Sequence, residues 1–439
     1  MSFVSLPYLD SRALLQLIQQ QPWPVLLDSG HPSARAGRFS IASAAPTRRL
    51  MIHQRQQKED LNQLRPPASC PDLDPAIAHL PFISGWIGYW SYAAGQLFEP
   101  ITQQAEDDLG LPWIAMGYYP WALVTDHQRH ESWLVGEAPA WIRQRLANEP
   151  AAPALCAFQL MEPFRSNMSQ SAYREKFAQV QAWLRSGDVY QINLAQRFSA
   201  GFQGDPLTAW SLLREQVAAP FAAYLDFGDH QLLSLSPERF LCVDAQGWVE
   251  TKPIKGTRPR GANAQEDQRL AEELLSHPKD RAENLMIVDL LRNDLGRVCR
   301  PGSIRVPDLF TLESYTNVHH LVSRVIGQLR EGTSAVDLLA ASFPGGSITG
   351  APKIRAMEII DQLEPQQRSV YCGSIGYLDD RGQMDFNIAI RTFIARQQRL
   401  YVWGGGGLVA DSDPEAEYQE TLDKIAQLIR CLQPDFLRD

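Results

Sequence analysis

The order of helical and strand-like segments is the feature that most constrains the fold of this chain. Apolar residues at helical spacing run through 173–184, Gly187 is placed to end that helix, and residues 189–194 alternate like a strand. Ser412 and Glu415 fit a capping box at the start of the last helix. Because strands and helices do not alternate regularly, we expect an α/β fold of the α+β or layered type, and not a barrel or a doubly wound sheet. The other strand-like runs are 231–235, 248–254, 374–378 and 399–403, and the other helical runs are 280–291, 351–363 and 414–432.

The composition is that of an ordinary globular protein. The chain has 439 residues, of which 44% are apolar and 21% charged, enough for two or three domains or one composite domain. Its net charge of -9 argues against a nucleic-acid-binding face, which needs clustered Lys and Arg. We find no signal peptide, and no apolar run approaches the ~20 residues of a membrane helix. We therefore expect a cytoplasmic protein without nucleic-acid or membrane partners.

The cysteines and an Ala- and Pro-rich segment give two further expectations. Six widely spaced cysteines, without a CxxC pair or a Cys/His cluster, predict free thiols in a reducing compartment and no zinc site. An Ala- and Pro-rich segment at 147–153 predicts a boundary between an N-terminal region, 1–155, and a second domain, 165–430.

Two predicted helices begin with pairs of acidic residues. The pairs are Asp280 with Glu283 and Glu417 with Glu420, and a spacing of three places both members on one helix face. If the two faces met, their hard oxygen ligands would suit Mg²⁺ and not zinc. The more ordinary alternative is that acids near a helix N-terminus only complement the helix dipole.

Two glycine-rich segments, 343–353 and 404–408, are candidates for close contact with a ligand. The first superficially resembles a phosphate-binding loop, but Ala351 and Pro352 stand where Lys and Ser or Thr would be required, which excludes nucleotide binding. Its backbone amides can still contact a carboxylate before a helix. Four glycines after a strand indicate a close approach of backbone to ligand. Tight turns are the alternative for both segments.

Two further side chains are candidates for acid and nucleophilic chemistry. Glu238 follows a strand-like run and is a candidate general acid, although a surface ion pair with Arg239 is the more ordinary alternative. Lys255 is a candidate nucleophile if burial or a nearby cation lowers its pKa, although a solvated lysine at a strand end is the more ordinary alternative. Neither is decisive alone, and the joint order of the motifs is what makes them specific.

That ordered series resembles the chorismate-utilising enzymes, which are the large subunits of anthranilate synthase and aminodeoxychorismate synthase, with isochorismate and salicylate synthases as cousins. The likeness runs continuously over about 165–430, and three shorter segments, 26–29 (LLDS), 37–40 (GRFS) and 85–89 (GWIGY), extend it loosely toward the N-terminus. The segments that carry it are 187–193 (GDVYQIN), 236–240 (SPERF), 253–261 (PIKGTRPRG), 282–290 (AENLMIVDL), 318–323 (VHHLVS), 350–353 (GAPK), 388–392 (IAIRT) and 411–414 (DSDP).

The resemblance implies a fold and a site. The anthranilate-synthase-like fold has two lobes interleaved in sequence, with antiparallel sheets packed face to face as a sandwich and helices outside. Mg²⁺ would be bound chiefly by Glu283 and Glu420, and Asp280 and Glu417 would lie behind these ligands, one shell further from the ion. Position 280 carries aspartate where the resemblance leads us to expect glutamate. The shorter side chain of Asp280 would hold a bound water. The substrate-binding positions carried over are Gln191, Gly256, Thr257, His320, Ser347, Arg391, Gly405, Gly407 and Lys424.

The residue types at two positions distinguish among these related enzymes. The isochorismate and salicylate enzymes carry a water-activating lysine where this chain has Gln191, so ammonia is favoured over water as nucleophile. Anthranilate synthases usually have Ala where this chain has Lys255, whereas the aminodeoxychorismate enzymes usually have Lys. The resemblance thus implies amination of chorismate at C4 to 4-amino-4-deoxychorismate, the first step of the p-aminobenzoate branch of folate biosynthesis, with Lys255 as nucleophile and Glu238 as acid. An anthranilate synthase large subunit and a non-catalytic tryptophan-sensing paralogue are the alternatives.

The resemblance also implies a partner and a second ligand. We find no Gly-x-Cys-x-Gly elbow of a glutaminase, so ammonia would come from a separate glutamine amidotransferase subunit. Ser29, with Pro220 and Phe221, resembles the tryptophan pocket of anthranilate synthases, which predicts bound tryptophan as a structural ligand. A vestigial, well-packed core is the alternative.

Overall fold

Two antiparallel sheets form the centre of the molecule. The computed structural model describes residues 2–29, 37–68, 73–101, 103–148, 157–315 and 318–437. The strands in these ranges are β1 (Phe3–Leu6), β2 (Val25–Asp28), β3 (Phe39–Ser43), β4 (Arg48–Ile52), β5 (Gly85–Trp90), β6 (Ile114–Tyr119), β7 (Trp121–Asp126), β8 (Glu131–Gly136), β9 (Phe158–Leu160), β10 (Arg165–Ser166), β11 (Gln191–Gly204), β12 (Phe221–Asp226), β13 (His230–Ser236), β14 (Arg239–Val243), β15 (Trp248–Thr251), β16 (Ile254–Pro259), β17 (Arg305–Ser314), β18 (Val318–Gln328), β19 (Gly350–Ala351), β20 (Ser374–Asp379), β21 (Met384–Asn387), β22 (Thr392–Arg396) and β23 (Arg399–Leu408).

Helices cover the sheets. They are α1 (Ser11–Ile18), α2 (Ala140–Ala147), α3 (Gln170–Ser186), α4 (Pro206–Gln216), α5 (Ala264–Ser276), α6 (Pro278–Gly296), α7 (Ala335–Ser342), α8 (Lys353–Leu363) and α9 (Pro414–Leu432), with 3-10 turns at Arg55–Leu64, Tyr92–Leu97 and Gly346–Ile348. None of the described helices is both long enough and apolar enough to cross a membrane.

The first sheet has the order β1-β8-β7-β3-β2-β12-β13-β22-β23-β11-β10, with β9 and β19 also on β11. The second has the order β16-β18-β15-β14-β21-β20-β5-β6-β4, with β17 also on β18. Strands from early and late parts of the chain are neighbours in both, since β2 pairs with β12 and β5 with β20. The predicted interleaving of the lobes is therefore confirmed. The domain limits, 1–155 and 165–430, stay a prediction, and residues 149–156 lie outside the described ranges.

Alternate residues of the first sheet belong to two different cores. Val25 and Leu232 pack into a cluster shared with strands of the second sheet, such as Ile87 of β5. Their chain neighbours, Leu26 and Leu233, face the opposite way, into a cluster with α1, α4 and α9. Because successive side chains of a strand point to opposite faces, one face of this sheet packs on the other sheet and one under helices. The predicted sandwich with helices outside is confirmed.

Several local predictions need correction. The predicted strand at 248–254 is two strands, β15 and β16, and the break at Lys252 and Pro253 suits a residue without an N–H. The predicted capping box is wrong, because Asp413 caps α9 through bonds from the amides of Glu415 and Ala416. Ser412 contacts the Glu417 carboxylate instead.

Two element starts also differ from the prediction. The strand expected from Val189 begins only at Gln191, and Tyr190 is 66% exposed, so it does not share the buried face of Ile192. The helix expected from Ala351 begins at Lys353, because Pro352 keeps the preceding residue extended. The cysteines at 242, 299, 372 and 431 are free, as predicted, and Cys70 and Cys156 lie outside the described residues.

Candidate active site

The glycine run of β23 lies against the polar start of β11. Gly407 is in register with Asn193, and Gly405 with Ala195. A Cβ at Gly405 would come within 2.8 Å of the Tyr371 hydroxyl and 3.0 Å of Asn193 Oδ1. A Cβ at Gly407 would come within 2.6 Å of Gln191 Nε2. The glycines therefore leave room for polar side chains that converge on the strand.

Gln191 and Asn193 lie on the same face of β11, as their spacing predicts. Both are buried, and within the described ranges neither amide atom of Gln191 has a hydrogen-bond partner, nor does Asn193 Oδ1. A buried polar atom without a partner is costly, so these groups indicate a place where a polar ligand completes the bonding. Asn193 was not among the predicted site residues. The signal that could have found it is its position two residues after Gln191.

Lys255 extends from an irregular part of β16. The pairing of β16 with β18 shifts register between Ile254 and Thr257, and Gly256 has a φ of 81°, where a side chain would be strained. Lys255 Nζ donates to the carbonyl oxygen of Ser347 at 3.3 Å and lies 3.7 Å from the position of a Cβ at Gly407. Burial lowers the pKa of Lys255, although Glu283 opposes the shift. The half-buried amine therefore loses its proton more readily than a solvated lysine does.

Glu238 lies between β13 and β14 and is 6% exposed. Its Oε1 accepts a hydrogen bond from Ser347 Oγ at 3.1 Å. Burial raises the pKa of Glu238 to about 7, although Lys255 and Ser347 oppose the shift. The alternative of an ion pair with Arg239 is wrong, because that guanidinium contacts Asp385 and Glu250.

The loop before α8 positions Ser347 between these two groups. A Cβ at Gly346 would lie 2.2 Å from Leu290 Cδ2, so the loop packs directly on α6. Lys353, which follows the loop, bonds Asp294 at 2.7 Å and the Ser342 carbonyl at 2.8 Å. This lysine therefore has a structural partner on α6.

The two predicted acidic faces do meet, between α6 and α9. Glu417 is 4% exposed, its Oε1 accepts from Ser412 Oγ at 2.6 Å, and no described residue donates a hydrogen bond to its Oε2. A Cβ at Gly406 would lie 3.2 Å from Glu417 Oε2 and 3.5 Å from Glu420 Oε1. Lys424 Nζ lies 2.6 Å from Glu420 Oε1 and donates to the Gly405 carbonyl at 2.9 Å. Carboxylates of α9 and the backbone of β23 therefore converge here, and Lys279 of α6 reaches Glu417 from the other helix.

The remaining acidic residues differ in environment. Burial raises the pKa of Glu283. Burial also acts to raise the pKa of Glu420, but the ammonium groups of Lys424, Lys255 and Lys279 together lower it. Asp280 turns toward Arg258 Nη2 at 3.1 Å and His277 Nδ1 at 3.0 Å. Asp280 is thus held by the Arg258 guanidinium and lies beside Gly256.

The donor chemistry of this cluster suits a hard divalent cation. Its ligands are carboxylate oxygens, and one buried oxygen of Glu417 is unpartnered. No group of three or more His, Cys, Asp or Glu in the described ranges is gathered closely enough to hold a metal ion as it stands. Lys279, which sequence analysis did not assign, lies among these carboxylates. The sequence feature that could have identified Lys279 is its position four residues before Glu283, on the same helix face.

A histidine and an arginine line the other side of the site. Thr257 Oγ1 and His320 Nδ1 are 2.9 Å apart. Burial and the nearby Arg391 lower the pKa of His320 to about 4, so the ring is neutral at pH 7. Arg391 is half-buried, and burial lowers its pKa. In the described part of the chain its guanidinium has no hydrogen bond and no ion pair, which leaves its donors free for an anion.

A separate cavity of about 360 Å³ lies at the residues predicted to bind tryptophan. Ser29, Pro220 and Phe221 all line it. Ser29 Oγ donates to the carbonyl of Phe39. The volume is large enough for a small ligand, so these residues do not form a closed core.

The comparisons with known proteins agree with this geometry. Residues 25–430 match the family of chorismate binding enzymes. Aminodeoxychorismate synthase component 1 of Klebsiella aerogenes is 45% identical, over 98% of this chain and 99% of the relative, and that of Salmonella typhimurium is 46% identical, over 95% and 94%. The crystal structure of anthranilate synthase component I from Streptococcus pneumoniae superposes with a TM-score of 0.80 at 33% identity, over 90% of this chain and 92% of that one. The chain belongs to the family of chorismate binding enzymes.

Proposed function

We propose that this chain aminates chorismate at C4 to 4-amino-4-deoxychorismate, with ammonia supplied by a glutaminase partner. The observation that carries the proposal is the arrangement of Lys255 and Glu238, which contact the carbonyl and hydroxyl of the same residue, Ser347. One group has a pKa lowered by burial and the other a raised pKa, which is the combination that a nucleophile and a general acid need near pH 7. The names of the two relatives support the same reaction.

The first chemical step forms a bond from Lys255 Nζ to C2 of the ring. The neutral amine supplies the electron pair, both ring double bonds shift by one position, and the C4–O bond breaks. Glu238 gives its proton to the departing oxygen, which leaves as water, and becomes a carboxylate. Lys255 is then a secondary ammonium bonded to the ring.

The second step reverses the shift. Ammonia forms a bond to C4, the double bonds return, and the C2–N bond breaks with its electron pair going back to Lys255. The new ammonium at C4 gives one proton to the Glu238 carboxylate, which restores the acid and leaves an amine on the product. Two successive displacements therefore put nitrogen where the hydroxyl was. Attack of ammonia at C2, without Lys255, is the route to anthranilate.

Recognition of the substrate depends on its two carboxylates, since burying a dianion requires charged or N–H donors. Arg391 supplies a guanidinium that has no other partner among the described residues, and Gly405 and Gly407 place backbone close to Gln191 and Asn193. A neutral His320 beside Thr257 suits the ring better than a second cation. Gln191 has no basic atom to activate water, which favours ammonia as the nucleophile.

Mg²⁺ is part of the proposal. Glu283 and Glu420, with Glu417, would hold it, and Asp280 would act behind them. When bound it supplies positive charge that neutralises a substrate carboxylate and the charge developing on it.

A partner, a second ligand and a location complete the proposal. A glutamine amidotransferase subunit would release ammonia to this chain in the cytoplasm. Tryptophan would occupy the cavity at Ser29, Pro220 and Phe221. Native mass spectrometry of the purified chain should show an added mass of tryptophan, and a mass without it would contradict this part alone.

The test of the reaction is the product made by the purified chain with chorismate, Mg²⁺ and ammonium. We expect 4-amino-4-deoxychorismate by liquid chromatography and mass spectrometry. Anthranilate, detected by its fluorescence, would overturn the proposal, and no turnover with excess ammonium would favour the non-catalytic alternative. Lys255→Ala should abolish C4 amination, while Lys252→Ala, a neighbouring lysine paired with Glu313, serves as the control. Full C4 amination by Lys255→Ala would contradict the covalent role.

A further inference from the structure

An unassigned lysine lies where the carboxylates of α6 and α9 meet. Lys279 Nζ is 3.3 Å from Glu417 Oε1 and 3.9 Å from Glu283 Oε1. Lys279 and Glu283 share a face of α6, because they are four residues apart, and Glu417 comes from α9. The ammonium group therefore links the two helices through one acidic residue of each.

The same place contains an oxygen that no described residue satisfies. Glu417 is nine-tenths buried or more, and its Oε2 has no hydrogen-bond partner. The oxygens of Glu417 and Glu420 both approach Gly406, where the missing side chain leaves space. A buried carboxylate oxygen without a partner is expensive, so this space is suited to a cation that the chain itself does not provide.

A divalent cation held by both Glu283 and Glu417 would compete with Lys279 for these carboxylates. The ammonium lies 3.3 Å and 3.9 Å from its two carboxylate oxygens. Mg²⁺ needs oxygens at about 2.0–2.1 Å in near-octahedral geometry. The carboxylates must therefore close in on the ion, and the ammonium must withdraw from between them. The side chain of Lys279 is 41% exposed, so it has solvent to move into.

We infer that Lys279 is an internal counter-cation, which holds Glu283 and Glu417 together when no divalent cation is bound and must be displaced before Mg²⁺ binds. This inference rests on the Mg²⁺ site of the proposed function. It agrees with the arrangement of the described carboxylates, which form no ready metal cluster while ammonium groups pair with Glu417 and Glu420.

The consequence is a metal affinity lowered by the chain itself. When a site is open in only a fraction of the molecules, the apparent dissociation constant rises by the inverse of that fraction. If Lys279 lies between the carboxylates of Glu283 and Glu417 in about nine molecules of ten, its removal tightens Mg²⁺ binding about tenfold. The metal-free protein loses stability on that removal, because the repulsion between Glu283 and Glu417 is then screened by Lys255 and no longer by Lys279.

The test is Mg²⁺ binding to the full chain, stripped of metal and without chorismate, measured by isothermal titration calorimetry. We expect Lys279→Met to bind Mg²⁺ about tenfold more tightly than the wild type, and Lys279→Arg, which keeps the charge, to stay within about twofold. Arg281→Met is the matched control, because Arg281 is on the same helix but contacts the Leu275 carbonyl and the ring of Phe310. Its affinity should change much less.

Thermal denaturation gives a second readout. Metal-free Lys279→Met should melt below the wild type, and saturating Mg²⁺ should raise its melting temperature by more than it raises that of the wild type. If Lys279→Met does not fold, Lys279→Gln takes its place in both measurements. Equal or weaker Mg²⁺ binding by the variant, or an equal gain for Arg281→Met, overturns the inference while leaving the reaction untouched. No Mg²⁺ binding by any of the proteins overturns the metal site itself and the inference with it.

Discussion

The hydroxyl group of Ser347 donates to Glu238 Oε1 at 3.1 Å, so a loop residue holds the carboxyl group that the reaction needs as an acid. The carbonyl oxygen of Ser347 accepts from Lys255 Nζ at 3.3 Å. A single residue thus sets the distance between acid and nucleophile. Because the hydroxyl bond favours the ionised form of Glu238, it also moderates the rise in its pKa.

Ser347→Ala should therefore affect both rate and pH dependence. Loss of a hydrogen bond to a chargeable group costs about 1.5–3 kcal/mol, or about tenfold or more in kcat. The pKa of Glu238 should rise further above its ordinary value, so the alkaline limb of kcat moves to higher pH. The measurement is the pH profile of C4 amination. Ser347→Thr should restore the wild-type limb, and Ser342→Ala, at a buried serine outside this contact, should leave it in place. An unmoved limb in Ser347→Ala would contradict the role.

The free energy of unfolding should depend on pH through Glu238. Its pKa is raised by burial from 4.5 to about 7, so the stability that it contributes is complete below pH 4.5 and is lost as the pH rises through 7. Glu238→Gln should remove this loss, with a relative gain of up to about 3 kcal/mol at pH 8. Urea denaturation at pH 5 and pH 8 measures it. If the free energy of unfolding differs between variant and wild type by the same amount at both pH values, Glu238 is not titrating in this range.

Gly405→Ala should disrupt the site from within the sheet. The added Cβ would meet the Tyr371 hydroxyl and Ala195 Cβ at 2.8 Å, which real side chains do not tolerate without movement. We expect a loss of about 1–3 kcal/mol in stability and a larger loss in kcat/KM for chorismate. Gly296→Ala is the control, since its nearest neighbour is 3.9 Å away. Unchanged kcat/KM in Gly405→Ala would contradict a tight fit at this strand.

Lys353→Met should destabilise the fold. The lysine is paired with Asp294 at 2.7 Å, and both side chains are largely buried. Removing one partner leaves a buried charge and should cost about 3–5 kcal/mol in the free energy of unfolding. The double variant Lys353→Met with Asp294→Leu should recover much of that loss. Chemical denaturation of the three proteins measures the difference, and a single variant as stable as the wild type would show that the pair is dispensable.

Some local features could be predicted from the sequence because they depend on neighbours in the chain. Gly187 ends α3 in a left-handed conformation, and α9 runs from Pro414 to Leu432 as its apolar spacing indicates. Other local predictions failed where a tertiary contact competed. Ser412 binds the Glu417 carboxylate and leaves the capping of α9 to Asp413, although both residues were available.

The sequence by itself determined which residue types were available at the site and in what order, and the family resemblance that the order carried. Only the tertiary structure decided which of the ordinary alternatives was wrong. Arg239 turned out to bond Asp385 and Glu250, and Glu238 to face Ser347. The physical reason is that burial and charge environment depend on residues far apart in the chain. The pKa of Lys255 falls because strands and a loop about 90 residues away enclose it, and Lys279 meets Glu417 across 138 residues of sequence.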